Sequence, residues 1–309
     1  MILCLGTTPV YQRTIELDKL HIDAVNRARS VVESASGKSL NVARVLHTLG
    51  KACLAIGFAG GRRGDALVAD LERIKLPHHF ISVSLETRMC ITIIDRASAA
   101  VTELVEEAQP VGREQWDLLR ANFVKHVTQS KLVVLSGSLP ADSDPHLYQW
   151  CIEEAAKHGI QCIVDASGWP LRQAMLARPL LVKPNRSELA ATLGVEIPDD
   201  AMLKERIRHL IAIGPQWALI TLGKHGAVLS NGADFWRITT PPIRAVSPIG
   251  SGDAFAAGLA AALYDGQSPP EAVRLGAACA AANAMIPVAG HLRVDDVHTL
   301  LPQIKVEPW

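Results

Sequence analysis

The sequence has no excess of charge of either sign. Its 31 lysine and arginine residues balance 31 aspartate and glutamate residues, so the formal net charge is zero. A groove for nucleic acid and a polybasic membrane surface both require a basic excess, so the composition argues against both kinds of partner. A small anionic ligand stays compatible, because a few local cations and backbone N–H groups are enough to bind one.

Cysteine pairs and long apolar runs are also missing. The six cysteines are scattered and include no C-x-x-C pair, which argues against a disulfide framework and a zinc site. The most apolar late stretch, Ala254–Tyr264, has about half of the roughly twenty residues that a membrane span needs. The first residues lack the basic region and apolar core of a signal peptide. We therefore expect a cytoplasmic protein from a reducing compartment.

Apolar material is abundant, with 49% hydrophobic and 20% charged residues. Short apolar runs predict strands at Ile2–Leu5, Cys53–Phe58, Leu132–Leu135, Gln161–Val164, Leu180–Val182 and Ala218–Thr221. Segments with helical periodicity lie at Leu40–Leu49, Asp65–Ile74, Trp116–Lys125, Leu147–His158, Arg186–Leu193 and Lys204–Ile213. Strands separated by helices predict an α/β fold with a parallel sheet covered on both faces.

Two regions interrupt this alternation. Residues 11–34 and 87–107 have strand-like patterns without helical periodicity, and the second is typical of a hairpin around Arg96–Ser98. They predict either a small sheet that folds out from the main body or two ordinary surface hairpins. Because no internal repeat or low-complexity linker occurs, we expect a single domain over residues 1–309.

A glycine-containing turn leads directly into an alanine-rich helix at residues 247–264. Gly250 and Gly252 allow the backbone to come close to a ligand, and the first N–H groups of a helix are free to bind an anion. Asp253 would repel a phosphate as a simple ligand, but it fits as a base that deprotonates a hydroxyl during phosphoryl transfer. The alternative is that Asp253 is an ordinary helix N-cap.

A second motif follows the predicted strand that ends at Lys183. Asn185 and Glu188 are three residues apart at the start of a helix, and their oxygens suit a hydrated magnesium ion. The alternative is a capping box, with asparagine as N-cap and glutamate at the third helical position.

Other nucleotide-binding signals are weak or absent. The stretch Thr221–Ala227 contains a glycine turn between two strands and only weakly indicates a loop over a nucleotide. Gly37-Lys38-Ser39 lacks the first glycine of a P-loop, because Val32 stands there. No G-x-G-x-x-G pattern occurs, which argues against a dinucleotide oxidoreductase.

Together and in this order, the motifs resemble the ribokinase/PfkB family of sugar kinases, and the resemblance covers almost the whole chain. Residues 36–44 (SGKSLNVAR) are similar to the N-terminal family signature, and residues 248–253 (PIGSGD) to the C-terminal one. Four further strings resemble the 1-phosphofructokinase and tagatose-6-phosphate kinase branch: residues 86–88, 135–140, 164–168 and 182–185.

The resemblance implies a ribokinase-like three-layer α/β/α fold with a mostly parallel central sheet and a small β-sheet lid. Residues 11–34 and 87–107 fall where that lid is expected. The resemblance also implies ATP and Mg²⁺ as cofactors, a homodimer that forms through the lid, and a ketohexose phosphate as substrate. Fructose 1-phosphate, fructose 6-phosphate and tagatose 6-phosphate are the examples.

Residue roles follow from the same resemblance. Asp253 corresponds to the catalytic base, and the backbone of Gly250, Ser251 and Gly252 to an anion hole. Contacts to the sugar phosphate are implied for Gln12, Arg27, Gly37, Lys38, Asn41, Arg88 and Ser138. Contacts to ATP are implied for Lys183, Asn185, Glu188, Thr221, Gly223, Gly226 and Asn283. Magnesium would be organised, through water, by Asn185, Glu188 and Asp165.

The sequence departs from the family pattern on the sugar side only. Gln12 stands where an aspartate is usual, Thr8 where an asparagine is usual, Ser36 in place of a glycine and Cys90 in place of an asparagine. These changes favour a working kinase with an altered acceptor. Two alternatives stay open: a kinase for an unphosphorylated sugar or a nucleoside, and a non-catalytic sensor of sugar phosphates or nucleotides.

Overall fold

The computed structural model describes all 309 residues and contains two β-sheets. The main sheet has ten strands. In spatial order they are β14 (Lys305–Pro308), β13 (Phe235–Thr239), β12 (Ala227–Ser230), β11 (Trp217–Thr221), β10 (Leu181–Val182), β9 (Gln161–Asp165), β8 (Leu132–Ser136), β1 (Ile2–Leu5), β4 (Cys53–Gly60) and β5 (His78–Val83). All neighbours from β11 to β5 pair in parallel, whereas β12, β13 and β14 extend the sheet as antiparallel strands.

Helices cover both faces of this sheet. One face carries α1 (Lys38–Thr48), α2 (Gly61–Arg73), α8 (Ser251–Tyr264), α9 (Pro269–Ala284) and α10 (Val294–Leu300). The other carries α3 (Arg113–Val127), α4 (Leu147–Ala156), α5 (Gly168–Leu176), α6 (Arg186–Leu193) and α7 (Asp200–Ile213). A hydrophobic core lies on each face of the sheet, and β1 contributes to both. Ile2 and Cys4 pack on the first face, and Leu3 and Leu5 pack on the second. The predicted α/β class with a doubly covered parallel sheet is confirmed.

Each strand and helix predicted for the main body is present, with boundaries that differ by up to about five residues. The strand expected after the glycine turn at Thr221–Ala227 is β12, whereas β5, β13, β14, α5, α9 and α10 were not predicted. Two short 3₁₀ turns, Gly223–His225 and Leu301–Gln303, complete the elements. No helix combines the length and apolar character that crossing a membrane requires.

A second sheet of four strands stands apart from the main one. Its order is β3 (Ser30–Ser36), β2 (Val10–Leu17), β6 (Met89–Asp95) and β7 (Ala100–Val105). The two predicted β regions join through a parallel pairing of β2 with β6. They therefore form one small sheet, and the alternative of two separate surface hairpins is wrong.

Candidate active site

The N-terminus of α8 lies at the carboxyl edge of the parallel strands, where sites of α/β folds form. Gly250 is its N-cap, with φ at 80°, and a Cβ there would lie 2.7 Å from the backbone nitrogen of Gly290. The N–H of Ser251 already donates to the Pro248 carbonyl at 3.1 Å. The N–H groups of Gly252 and of the residue after it donate to no backbone carbonyl. Of the donors in the predicted anion hole, the Ser251 N–H is therefore already used and the Gly252 N–H is free, and the next residue of the helix adds one more free donor.

Asp253 is the third residue of α8, so the alternative that it is the N-cap is wrong. Its side chain is buried, and Oδ2 accepts a hydrogen bond of 2.7 Å from Asn41 Nδ2. Oδ1 accepts none from the protein. Burial, with the nearby Asp165 charge, raises the pKa of Asp253 to about 7, although Lys38 and the Asn41 bond oppose the shift. A carboxylate with such a pKa can accept a proton near neutral pH.

An ion cluster with a buried centre, Asp165 and Lys183, packs beside this turn. Lys183 Nζ lies 2.9 Å from Asp165 Oδ2, and Lys38 Nζ lies 3.3 Å from Asp165 Oδ1 and 3.1 Å from Glu188 Oε1. Burial alone would raise the pKa of Asp165, but the two ammonium groups outweigh it and hold that pKa below its ordinary value. A Cβ on Gly252 would lie 3.5 Å from Lys183 Nζ. The cluster thus places positive charge next to the free N–H groups of α8.

Asn185 and Glu188 form a capping box at the start of α6. Asn185 Oδ1 accepts from the Glu188 N–H, and Glu188 Oε2 accepts from the Asn185 N–H, both at 2.8 Å. The capping alternative is therefore confirmed. No group of three or more histidine, cysteine, aspartate or glutamate side chains is arranged to hold a metal ion. The role of this pair toward magnesium stays a prediction.

The predicted nucleotide loop lies next to this helix. Thr221 ends β11 and forms an isolated parallel bridge with Asn185. Gly223 and Gly226 both have positive φ, at 57° and 79°, and a side chain at Gly226 would collide with the Ile238 carbonyl. The glycines therefore shape the turn that carries the loop over the sheet edge.

The side chain of Asn283 is engaged within the chain, so the structure gives no support to the contact with adenine that was predicted for it. It is completely buried in α9, and its Nδ2 donates to the Ile249 carbonyl at 2.9 Å and to Ser251 Oγ at 3.3 Å. Its Oδ1 accepts from the Gly290 N–H at 2.9 Å. With its hydrogen-bonding groups occupied, Asn283 holds the turn before α8 instead.

Residues predicted for the sugar side differ in how they are held. Arg88 Nη2 donates to the Thr8 carbonyl at 3.1 Å and Nη1 to the Glu106 carbonyl at 3.2 Å, while Nε is buried without an acceptor. Thr8 Oγ1 in turn donates to the Ser138 carbonyl at 3.2 Å, and Gly37, at φ 107°, is the N-cap of α1. The guanidinium therefore lies beside the loop that follows β1.

Gln12 and Arg27, which were also predicted to contact the sugar phosphate, do not present free donors beside this loop. Gln12 is buried, and its Nε2 donates to Thr92 Oγ1 at 2.7 Å, so the amide is used within the second sheet. Arg27 is exposed between β2 and β3 and forms no hydrogen bond or ion pair within the chain. Nothing in the structure ties Arg27 to the site.

Glu103 is a candidate that sequence reasoning missed. It pairs with Thr92 across β6 and β7, on the same face of the second sheet as Gln12. Glu103 is exposed overall, but partial shielding from water raises its pKa, while Gln12 and the charge of Arg88 act in the opposite direction. A carboxylate therefore lies beside Gln12, the position that lacks the usual aspartate. Only the register of β6 against β7 reveals this, because alternation along β7 alone does not distinguish Glu103 from a solvated charge.

Comparisons with known proteins identify the family and the fold. The model of the pfkB family carbohydrate kinases matches residues 1–286. Tagatose-6-phosphate kinase of Staphylococcus epidermidis is 31% identical over 309 residues, which cover 99% of each chain. Phosphofructokinase-2 from Escherichia coli, solved in complex with fructose-6-phosphate, is 25% identical, with a TM-score of 0.86 and 98% of each chain covered. A protein described as a possible 1-phosphofructokinase from Thermotoga maritima shares the fold, with a TM-score of 0.92, 23% identity, and 100% of this chain and 99% of that one covered.

Proposed function

This chain belongs to the pfkB family of carbohydrate kinases, and we propose that it transfers the γ-phosphoryl group of ATP to a hydroxyl of a small sugar phosphate. The class of acceptor is a ketohexose phosphate such as fructose 1-phosphate, fructose 6-phosphate or tagatose 6-phosphate. Relatives whose names or complexes contain such compounds support this class. The observation that carries the proposal is the buried Asp253 carboxylate, with one free oxygen, at a helix N-terminus with unpaired N–H groups.

In the proposed reaction, Asp253 Oδ1 takes the proton of the acceptor hydroxyl. The resulting oxygen attacks the γ-phosphorus, the bond to the β-phosphate oxygen breaks, and ADP leaves while the proton stays on Asp253. Negative charge that builds on the phosphoryl oxygens meets the N–H groups of Gly252 and Asp253 and the positive end of α8. Asn41 keeps the other oxygen of the base occupied, so the carboxylate has one orientation toward the hydroxyl.

The carboxylates of the ion cluster, Asp165 and Glu188, are better placed to bind the water molecules around a magnesium ion than to bind the ion directly. Asp165 is only 1% exposed and is enclosed by two lysines, whereas the Glu188 side chain is 23% exposed. We assign Glu188, at the capping box with Asn185, to the water shell of the ion, and we assign Asp165 to holding Lys38 and Lys183. Magnesium, when bound with ATP, neutralises charge on the β- and γ-phosphates.

Arg88 is the proposed partner of the phosphate already on the sugar. Its two terminal nitrogens each spend one hydrogen on a backbone carbonyl, so each retains a second hydrogen, and Nε has no acceptor. A guanidinium with several unspent donors in one plane matches a phosphate group. The carbonyl bonds fix its orientation before the substrate arrives.

The test is a coupled ADP-release assay over hexoses, hexose phosphates and nucleosides, with Arg88→Ala and, as control, Arg113→Ala at an exposed position of α3. We expect Arg88→Ala to raise KM for the sugar phosphate roughly 10- to 100-fold, because charged hydrogen bonds are lost, and to leave KM for ATP unchanged. A protein that prefers a neutral sugar or a nucleoside, with no effect of Arg88→Ala, would be a kinase of the alternative kind. Tight binding of a sugar phosphate or nucleotide without any turnover would instead indicate a sensor.

The second sheet is the proposed lid and dimer interface. The face with the odd-numbered residues of β2 and β6 carries an apolar group beside the Arg13–Glu33 ion pair. This group has Ile15, Val31, Ile91, Ile93 and Leu104 in neighbouring register positions. Val31 and Leu104 are 49% and 53% exposed in the single chain. Two such faces, packed together, would remove this surface from water and keep the sheet over the site.

A further inference from the structure

Three buried side chains connect the second sheet with the N-terminus of α8. Ser36, the last residue of β3, donates from Oγ to Asn41 Oδ1 at 3.0 Å. Asn41 then donates from Nδ2 to Asp253 Oδ2 at 2.7 Å. The three residues are 3%, 4% and 7% exposed, so water does not compete strongly for these bonds.

The side-chain amide of Asn41 forms no other hydrogen bonds. Ser36 Oγ is the sole donor to its Oδ1, and Asp253 Oδ2 is the sole acceptor from its Nδ2. On the remaining side the backbone of Gly290 packs so closely that a Cβ there would lie 2.7 Å from Oδ1. Without the serine hydroxyl, Oδ1 would be a buried acceptor with no partner, and the amide would gain by turning or moving toward other donors.

We propose that Ser36 is a positioning residue that holds Asn41 against Asp253 and thereby sets the orientation and the proton affinity of the base. The inference rests on the proposed role of Asp253 as the base. Glycine, the residue usual at position 36 in the family pattern, has no hydroxyl to form this link. The link keeps Asp253 Oδ2 engaged and reserves Oδ1 for the acceptor hydroxyl.

The other groups that face Asp253 act independently of Ser36. Burial and the charge of Asp165 raise the pKa of Asp253, while Lys38, the Asn41 hydrogen bond and Lys183 lower it. Removal of the serine hydroxyl leaves the charges and the burial unchanged and weakens only the Asn41 bond. The pKa of Asp253 must then move upward.

The experiment follows the titration of Asp253 by ¹³C NMR in protein labelled at the aspartate carboxyl carbon, with Asp253→Asn used to assign the resonance. Ser36→Ala is compared with Ser36→Thr, which keeps a hydroxyl, and with Ser34→Ala. Ser34 is the matched control, because it lies on the same strand and is 4% exposed but donates no side-chain hydrogen bond.

We expect Ser36→Ala to raise the pKa of Asp253 by about 0.5 to 1 unit, the shift that corresponds to one lost hydrogen bond. Ser36→Thr and Ser34→Ala should stay close to the wild-type value. An unchanged titration in Ser36→Ala, or an equal shift in Ser34→Ala, would overturn the inference. The NMR result decides this point even if no acceptor is phosphorylated, an outcome that would count against the proposed function alone.

Turnover gives a second readout once an acceptor is known. The acid limb of the pH profile for kcat should move with the pKa of Asp253, so Ser36→Ala should lose about three- to tenfold in rate below neutral pH. KM for ATP should not change, and Ser36→Thr should restore the rate. A loss that is equal at all pH values would mean that Ser36 acts only on the fold.

Discussion

Replacement of the base should make the protein inactive and more stable at the same time. Burial raises the pKa of Asp253 to about 7 in the folded chain, whereas an exposed aspartate in the unfolded chain has a pKa near about 3.9. The folded state therefore prefers the protonated carboxyl. The stability that this preference contributes is complete below about pH 4 and is lost as the pH rises through about 7.

The magnitude follows from the separation of the two pKa values. About three units at roughly 1.4 kcal/mol each amount to about 4 kcal/mol of folding free energy that the ionised carboxylate costs near pH 8. Near pH 5 the corresponding cost is only about 1 to 2 kcal/mol, because the folded carboxyl is still protonated. Asp253→Asn keeps the shape and removes the charge, so we expect it to be more stable than wild type by about 2 kcal/mol or more near pH 8 and by less near pH 5.

The assay is urea unfolding of ligand-free protein at both pH values, followed by circular dichroism, beside ADP release from the same preparations. Turnover by Asp253→Asn should fall at least about 100-fold, the usual contribution of a general base. Asp117→Asn, at an exposed position of α3, controls for the change of charge and should alter neither quantity. A variant that retains most of its turnover would refute the role of Asp253 as base. A stability gain that is absent or independent of pH would refute the raised pKa.

The remaining predictions concern the ion cluster and the second sheet. Asp165→Asn should destabilise the fold by about 3–5 kcal/mol in urea unfolding near neutral pH, because it leaves the buried Lys183 ammonium without its partner. The difference should shrink as the pH falls through the lowered pKa of Asp165, and a loss below about 1 kcal/mol would contradict the assigned pairing. In sedimentation velocity, wild type should be a dimer and the double variant Val31→Lys/Leu104→Lys a monomer, while Leu118→Lys, at a similarly exposed site on α3, stays dimeric. If both variants remain dimeric, the interface lies elsewhere.

Periodicity and turn chemistry were sufficient for the main body of the fold. The apolar run Ile2–Leu5 had to be a strand buried on both faces, and the apolar positions of Leu40–Leu49 had to be one face of a helix. The antiparallel strands β13 and β14 were missed because they lie at or next to the edge of the sheet, where partly exposed strands lack a continuous apolar run.

The helices α9 and α10 were missed for a related reason. The sequence of α9 is rich in alanine and has no clear apolar stripe, because this helix packs closely against α8 and is buried on much of its surface. The helix α10 is too short to show a helical pattern. Tertiary contact, rather than local amphipathic character, stabilises these segments.

Within the site, the sequence alone determined the local pieces. Gly250 and Gly252 before an alanine-rich helix specify a close approach of the backbone, and Asp253 follows in the first turn. Asn185 and Glu188, three residues apart at a helix start, offered a capping box as one of two interpretations, and the structure contains it. These conclusions depend on neighbours within one or two helical turns, and for that reason the chain's order is enough to reach them.

Only the tertiary structure decided which of these pieces meet. Asn41 and Asp253 are 212 residues apart, and Lys38 and Asp165 are 127 apart. The order of the parallel strands brings their carboxyl ends to one edge, and packing of α1 beside α8 sets the distances there. The zero net charge of the chain gave no indication of this ion cluster. Its opposite charges are far apart in the sequence and come together only in the fold. Burial in turn gives Asp253 its raised pKa, a property that no stretch of sequence carries by itself.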